Sequence, residues 1–281
     1  MLRKLGNIRV SLLLCLVVVA AIETPGAAAT DGISPAVTAA IKDPGRPPEE
    51  IQSDKARKPA ETLAFAGVKP GQVVVDFIPG DGYFTRLLSK AVGTQGKVYA
   101  YVPFAGAINA DTVRRKYPGV EQPVDKILAL ENLVHYPNLL TIWQFVGLDG
   151  GTFAVPAQAD VVLTANYPVL HDQKLTDTPG KDIPGVNKAV FRALKPGAVY
   201  VVSGARDMAG TSFARADTLG RAEEAVVKSE LLAAGFVLDG ESSALANASD
   251  DHTKPATADS DRFLLRFKKP AKDRKSTRLN S

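Results

Sequence analysis

The sequence predicts an α/β domain built on a mostly parallel sheet, and three observations carry that reading. Runs of β-branched residues alternate with amphipathic segments between residues 49 and 270, the pattern of strands joined by crossover helices. Val73-Val74-Val75-Asp76-Phe77 runs straight into Ile78-Pro79-Gly80-Asp81-Gly82, and an amphipathic segment from Tyr83 to Val92 follows. This reads as a buried strand, a tight loop and a helix N-terminus, a layout that holds nucleotide-like ligands. Near the end, Phe236–Leu238 and Phe263–Phe267 succeed one another with no helix between them, so they are expected to pair antiparallel.

Residues 1–29 read as a targeting segment. Arg3, Lys4 and Arg9 precede an apolar run from Val10 to Ile22, too short for a comfortable membrane span, and Ala27-Ala28-Ala29 offers a small-residue cleavage site. Removal of this signal would also remove Cys15, the sole cysteine, leaving no disulfide, thiolate or cysteine metal site. Residues 30–48, with Pro35, Pro44, Pro47 and Pro48, read as an extended lead-in, and residues 49–270 as a single domain. Glu49 to Ala66 is helical but broken at Pro59. The strand Val73–Phe77 and the helix Tyr83–Val92 come next, then a second strand at Lys97–Val102. Ala105–Lys116 and Val124–Leu133 read as helices. Leu139–Phe145 and Ala159–Asn166 are the third and fourth strands, and Val199–Ser203 is the fifth, after a helix from Val186 to Leu194. Ala222–Ala234 is the last helix. Residues 271–281 have no apolar periodicity and read as an unpacked tail, a translated adapter or cloning scar.

The formal net charge is +4, but residues 1–29 carry +2 and residues 271–281 carry +3, so the domain itself is at −1. The basic character belongs to the ends, which argues against a nucleic-acid partner. A nicotinamide cofactor is disfavoured too, because Thr85 occupies the third glycine position of the dinucleotide fingerprint. Asp250, Asp251 and His252 adjoin on one loop without a further ligand, so no metal site is expected.

The strand order, the loop Val75–Gly82, the segment Lys188–Gly197 and the run Glu230–Phe236 together resemble the class I S-adenosylmethionine-dependent methyltransferase fold. More narrowly, Pro79–Thr85, the pairs Asn166-Tyr167 and His171-Asp172, and Asp261-Arg262-Phe263 resemble secreted bacterial predicted methyltransferases. The resemblance implies a Rossmann-like domain with a seven-stranded sheet, helices on both faces and an antiparallel C-terminal strand pair. It also implies S-adenosylmethionine as cofactor, a small-molecule acceptor, and a periplasmic or secreted location without stable membrane insertion.

On that resemblance Ile78, Pro79, Gly80, Asp81 and Gly82 would cradle the amino-acid end of the cofactor, using backbone amides and the positive end of the following helix. Asp76 would orient the loop or a bridging water. Ile78 departs from the class, which usually has glycine there. The second strand departs as well: class members usually end it with an acid for the ribose hydroxyls, and this chain reads Ala100-Tyr101-Val102-Pro103. Tyr101 offers either a stacking face for sugar or adenine, or a core ring packed on a helix. Asn166 stands at the end of the fourth strand, where ligands bind in such sheets. His171 beside Asp172 reads either as a general base oriented by a carboxylate or as a loop residue capping the next helix. The expected activity is methyl transfer to a small molecule. A non-catalytic secreted binding protein on the same fold is the rival reading, favoured by the missing acid and by an exported location away from cofactor supply.

Overall fold

The computed structural model describes residues 32–104, 126–127, 129–130, 134–145, 153–172 and 182–271. The leader, the tail from residue 272 and most of the two segments expected as helices between the second and third strands lie outside these residues.

The N-terminal part corrects the extended lead-in. Pro35–Ile41 is a helix, α1, with the Ser34 hydroxyl accepting the Val37 amide at 3.2 Å and a proline in its first turn. Proline is tolerated there because its missing N–H would have had no helical partner. Val37 and Ala40 are buried, and α1 packs on the helix that follows the first strand. The broken helix is two helices, α2 (Pro48–Arg57) and α3 (Pro59–Phe65), divided where Pro59 cannot continue the ladder of α2.

The sheet has strands β1 (Val73–Phe77), β2 (Lys97–Phe104), β3 (Leu139–Phe145), β4 (Ala159–Thr164), β5 (Leu194–Arg206), β6 (Arg221–Ala222), β7 (Val237–Ser242) and β8 (Arg262–Lys268). Their order is β3-β2-β1-β4-β5-β8-β7, with the two-residue β6 beside β5. β3, β2, β1, β4 and β5 are mutually parallel, and β8 runs antiparallel to both β5 and β7. Helix α4 (Tyr83–Val92) follows β1, α5 (Ile183–Ala193) precedes β5, and α6 (Ala216–Leu219) and α7 (Glu224–Ala233) precede β7. β5 is longer than the expected Val199–Ser203. Lys195-Pro196-Gly197 lies inside it, where the register with β4 slips between Ala159 and Val161.

The two-residue period of the strands divides the core. Val74, Val98, Ala100, Val161, Leu163 and Val201 face α1, α3 and α4. Val75, Phe77, Tyr101, Val162, Tyr200 and Val202 face α5 and α7. Helices therefore cover both faces, and the carboxyl ends of β1, β4 and β5 gather at one edge.

Candidate functional site

The loop after β1 begins with Ile78 at φ 64°, in the left-handed region that favours glycine. A β-branched residue there is strained by about 1–2 kcal/mol. Its amide donates to the Tyr101 carbonyl at 3.0 Å, and its side chain packs on the α5/α7 side of the core. Gly80 (φ 59°) and Gly82 (φ 91°) also use left-handed geometry but serve different ends. Among the described residues a Cβ at Gly80 would meet nothing within 4 Å, so they leave the loop open at that point. A Cβ at Gly82 would lie 2.7 Å from Leu130 Cδ1 and 2.9 Å from Ile127 Cδ1, so Gly82 permits close packing rather than ligand approach. The Gly82 amide donates to Pro79 O at 3.0 Å, and no side chain caps the first turn of α4. Among the described residues the amides of Gly80 and Asp81 find no acceptor.

Asp76 is 1% exposed and accepts the Thr85 hydroxyl at 2.6 Å. It thereby ties the end of β1 to the first turn of α4. Burial raises its carboxyl to about 7, against the smaller lowering effect of the Thr85 hydrogen bond.

Helix α2 braces the same loop. Glu50 pairs with Arg86, whose guanidinium also donates to the Asp81 carbonyl at 3.1 Å. Asp54 accepts the Tyr83 hydroxyl at 2.6 Å and is held by Arg46. The Arg57 guanidinium carbon lies 4.6 Å from the Tyr83 ring centroid. Sequence reasoning missed these residues. Their signal was there: Glu50, Asp54 and Arg57 fall at i, i+4 and i+7, on one face of α2.

Tyr101 is corrected. It is 0% exposed, stacked on Phe153 at 4.1 Å and edge-on to Phe77 at 5.6 Å. Its position on β2 points it into the α5/α7 core, so it offers no face to a ligand.

At the end of β4, Asn166 is half-buried and its side chain caps nothing. A short 3-10 helix, Tyr167–His171, follows. Asp172 closes it through its amide on Val169 O at 3.2 Å. The acid on His171 Nε2 is Glu230 of α7, at 3.1 Å, so the orienting role expected of Asp172 falls to Glu230. Glu230 Oε2 also accepts the Tyr167 hydroxyl at 2.6 Å, and Asn187 donates to that hydroxyl at 2.7 Å. The imidazole stacks on Phe213 with ring centroids 3.4 Å apart. With the Glu230 carboxylate as acceptor, His171 Nε2 is the donor of this pair.

The loops beyond β5 hold the remaining acids. Arg221 opens β6; it is 1% exposed and binds both oxygens of Asp250, at 2.9 and 3.1 Å. His252 Nε2 sits 3.1 Å from Asp261, and Asp251 accepts from Thr253. Among the described residues no three His, Cys, Asp or Glu side chains converge as a metal site would require, and no helix is long and apolar enough to cross a membrane.

Against solved structures, the fold is similar to a SAM-dependent methyltransferase from Aquifex aeolicus. That match has a TM-score of 0.52 and 17% identity, over 80% of this chain and 99% of that one. It is also similar to CrArsM, an arsenic (III) S-adenosylmethionine methyltransferase from Chlamydomonas reinhardtii, with a TM-score of 0.50 and 16% identity over 84% and 73% of the two chains. Neither a family model nor a curated protein sequence matches this chain. The architecture is that of the class I S-adenosylmethionine-dependent methyltransferases.

Proposed function

We propose that the protein transfers a methyl group from S-adenosylmethionine to a small molecule. The observation that carries this reading is the loop after β1, with open space at Gly80, unengaged amides at Gly80 and Asp81, and an uncapped α4 N-terminus beside them. Those donors and the positive end of α4 suit the carboxylate of an amino-acid moiety. When bound, the cofactor supplies an electrophilic methyl group on a sulfonium.

The protein's own contribution is position. Asp76 fixes the helix start through Thr85, while Glu50, Arg86 and Asp54 hold the loop from outside. Asn166 presents an uncommitted amide at the end of β4. His171, with Nε2 held by Glu230, has Nδ1 to take a proton from an acceptor that must lose one. No acid ends β2, so ribose binding lacks the usual charge-assisted bond, at a cost of about 1.5–3 kcal/mol. We place this activity outside the cytoplasm, after cleavage of the leader, on the sequence pattern of residues 1–29.

Calorimetric titration of the mature protein with S-adenosylmethionine and S-adenosylhomocysteine tests the reading, with saturable heat expected from both. An acceptor screen reading S-adenosylhomocysteine release follows, in which His171→Ala should lower turnover by roughly 10²–10⁴ with cofactor affinity unchanged. Absence of heat and of turnover would remove the enzyme reading.

A further inference from the structure

The imidazole of His171 is restrained at an edge and on a face. The last torsion of a histidine is broad and roughly two-fold, so contacts must set the plane of the ring. At the edge, Nε2 lies 3.1 Å from Glu230 Oε2, an oxygen that is itself tied to the buried Tyr167 hydroxyl at 2.6 Å. On the face lies Phe213, with ring centroids 3.4 Å apart and planes 5° from parallel. The hydrogen bond fixes one atom and leaves the ring free to rock about it; the stacked ring removes that motion. Aromatic pairs left to themselves prefer offset or edge-on contact, with centroids about 4.5–7 Å apart. The closer, face-to-face stack is imposed by the loop that carries Phe213.

That loop runs from the end of β5 to α6, and it is held at its neck and along its length. At the neck, Arg215 binds both oxygens of Asp207, a carboxylate only 4% exposed, through Nε at 2.9 Å and through Nη2. Along the loop, Glu223 Oε2 accepts the amides of Gly210 at 3.0 Å and Ser212 at 2.9 Å, and the Glu223 amide donates to the Ser212 carbonyl at 3.0 Å. Ser212 stands at φ 52°, in the left-handed region. A non-glycine residue there is strained by about 1–2 kcal/mol, and such strain persists where the surroundings over-determine the backbone. Ser212 and Ala214 are exposed, while Phe213 between them is half-buried and packs on the α5/α7 side of the core, where Tyr167 and Leu170 also lie. Helix α6, just beyond, packs on the 3-10 helix of His171.

We propose that Phe213 is a positioning residue for His171, a rigid shelf that sets the plane of the imidazole and so the direction in which Nδ1 faces the methyl acceptor. The role rests on the methyltransferase reading, in which His171 takes a proton from that acceptor. Proton transfer needs the two heavy atoms within about 2.6–3.2 Å, and a misplacement of about 1 Å can cost roughly 100-fold in rate. A ring that rocks about its single bond to Glu230 holds Nδ1 in line for only part of the time. Among the described residues Nδ1 has no hydrogen-bond partner, so that edge of the ring is left to the acceptor. The loop after β5 thus enters the site through one ring, and its paired charges keep that ring in place.

Two measurements on the full chain test this, one of which needs no acceptor. In proton NMR, with the His171 imidazole assigned by comparison with His171→Gln, the parent's ring protons should lie upfield of those in Phe213→Leu, which keeps apolar bulk but has no ring current. In turnover read as S-adenosylhomocysteine release, Phe213→Leu should lower kcat by roughly 10–100-fold, less than His171→Ala. The acceptor KM and S-adenosylhomocysteine affinity should stay within about twofold. Phe213→Tyr keeps the ring face and should recover most of both the shift and the turnover. No upfield shift in the parent, full turnover in Phe213→Leu, or failure of Phe213→Tyr to recover overturns the proposal. A loss confined to KM would make Phe213 a residue that binds the acceptor, and would overturn the positioning role. If the parent shows the shift but turns over no acceptor class, the methyltransferase reading falls and takes the role of Phe213 with it. The NMR result tells that failure apart from a missing stack.

Discussion

The loop after β1 and the loops beyond β5 lie at the same edge of the sheet, yet they use their polar groups in opposite ways. Beyond β5 the buried charges Asp207, Arg221 and Asp261 each have an ion-pair partner. Arg221 alone donates to two carbonyls, to both oxygens of Asp250 and to Ser260. After β1 the helix start is uncapped, a β-branched residue is held in left-handed geometry, and the buried acid has only a neutral hydroxyl for company. Satisfied networks rigidify; strained and unsatisfied backbone concentrates where ligands bind. The contrast marks the loop after β1 as the candidate site without reference to any relative.

The two acids make the contrast quantitative. Burial works to raise the Asp250 carboxyl, but the Arg221 guanidinium and the amides of Asp261 and His252 outweigh it and hold it at about 2. Asp76 has no cation and is raised to about 7. The largest expected effect is therefore in the saturated region. Arg221→Ala should lower stability by about 3–5 kcal/mol, because it leaves a carboxylate and several carbonyls without donors. Denaturant unfolding measures this. S-adenosylhomocysteine affinity of the folded fraction should be unchanged, and a loss of affinity would mean that the two regions are coupled.

Next in size is the pH dependence of Asp76. Its folded pKa is raised, so its favourable contribution is complete below the unfolded value near 4 and is lost as pH rises through about 7. A shift of that size is worth on the order of 4 kcal/mol. Asp76→Asn keeps an acceptor for Thr85 but does not titrate, so its melting temperature should vary less between pH 4 and 7 than the parent's. Asp250 acts in the opposite sense: its contribution is present above about 4 and fades as pH falls through about 2. Parallel melting curves for parent and Asp76→Asn would show that Asp76 does not titrate in that window.

Gly80→Val comes third in stability but first in function. The left-handed backbone should cost about 1–2 kcal/mol, while the open space around the new Cβ avoids any clash. The branched side chain would stand over the amides of the loop, so titration heat from S-adenosylhomocysteine should vanish with the far-UV spectrum intact. Heat equal to the parent's would move the ligand site elsewhere.

Local chemistry was legible in the sequence and distant pairing was not. The bounds of β1, α4 and β3 follow from β-branched runs and flanking glycines, and the structure keeps them. The prolines near residue 35 suggested an extended lead-in, yet a proline in the first turn with Ser34 before it is also how a helix begins. Tyr101 could be placed on a strand from sequence, but which side of β2 is lined with Phe77 and Phe153 depends on packing from β1 and from beyond β3. The acid on His171 lies 59 residues away on α7, so the adjacent Asp172 was the only partner that spacing could offer.

The smallest expected effect belongs to Ile78, and it sharpens the comparison because strain and packing oppose each other in one residue. Ile78→Gly should relieve about 1–2 kcal/mol of left-handed strain. Against that stand the extra freedom of glycine in the unfolded chain, about 0.5–1 kcal/mol, and the loss of apolar burial. Ile78 is only half-buried against the core, so its burial is worth less than the 1.5–3 kcal/mol of a fully enclosed side chain. The terms nearly cancel, and the melting temperature should move by no more than a few degrees. Ligand affinity has no such cancellation. Removing the side chain widens the approach to the loop, so S-adenosylhomocysteine should bind more tightly to Ile78→Gly than to the parent. Weaker binding would show that the isoleucine itself touches the ligand, and a fall in melting temperature of ten degrees or more would make Ile78 a packing residue. In that case the strain at φ 64° would belong to the scaffold, and the loop after β1 would differ less from the loops beyond β5 than its backbone implies.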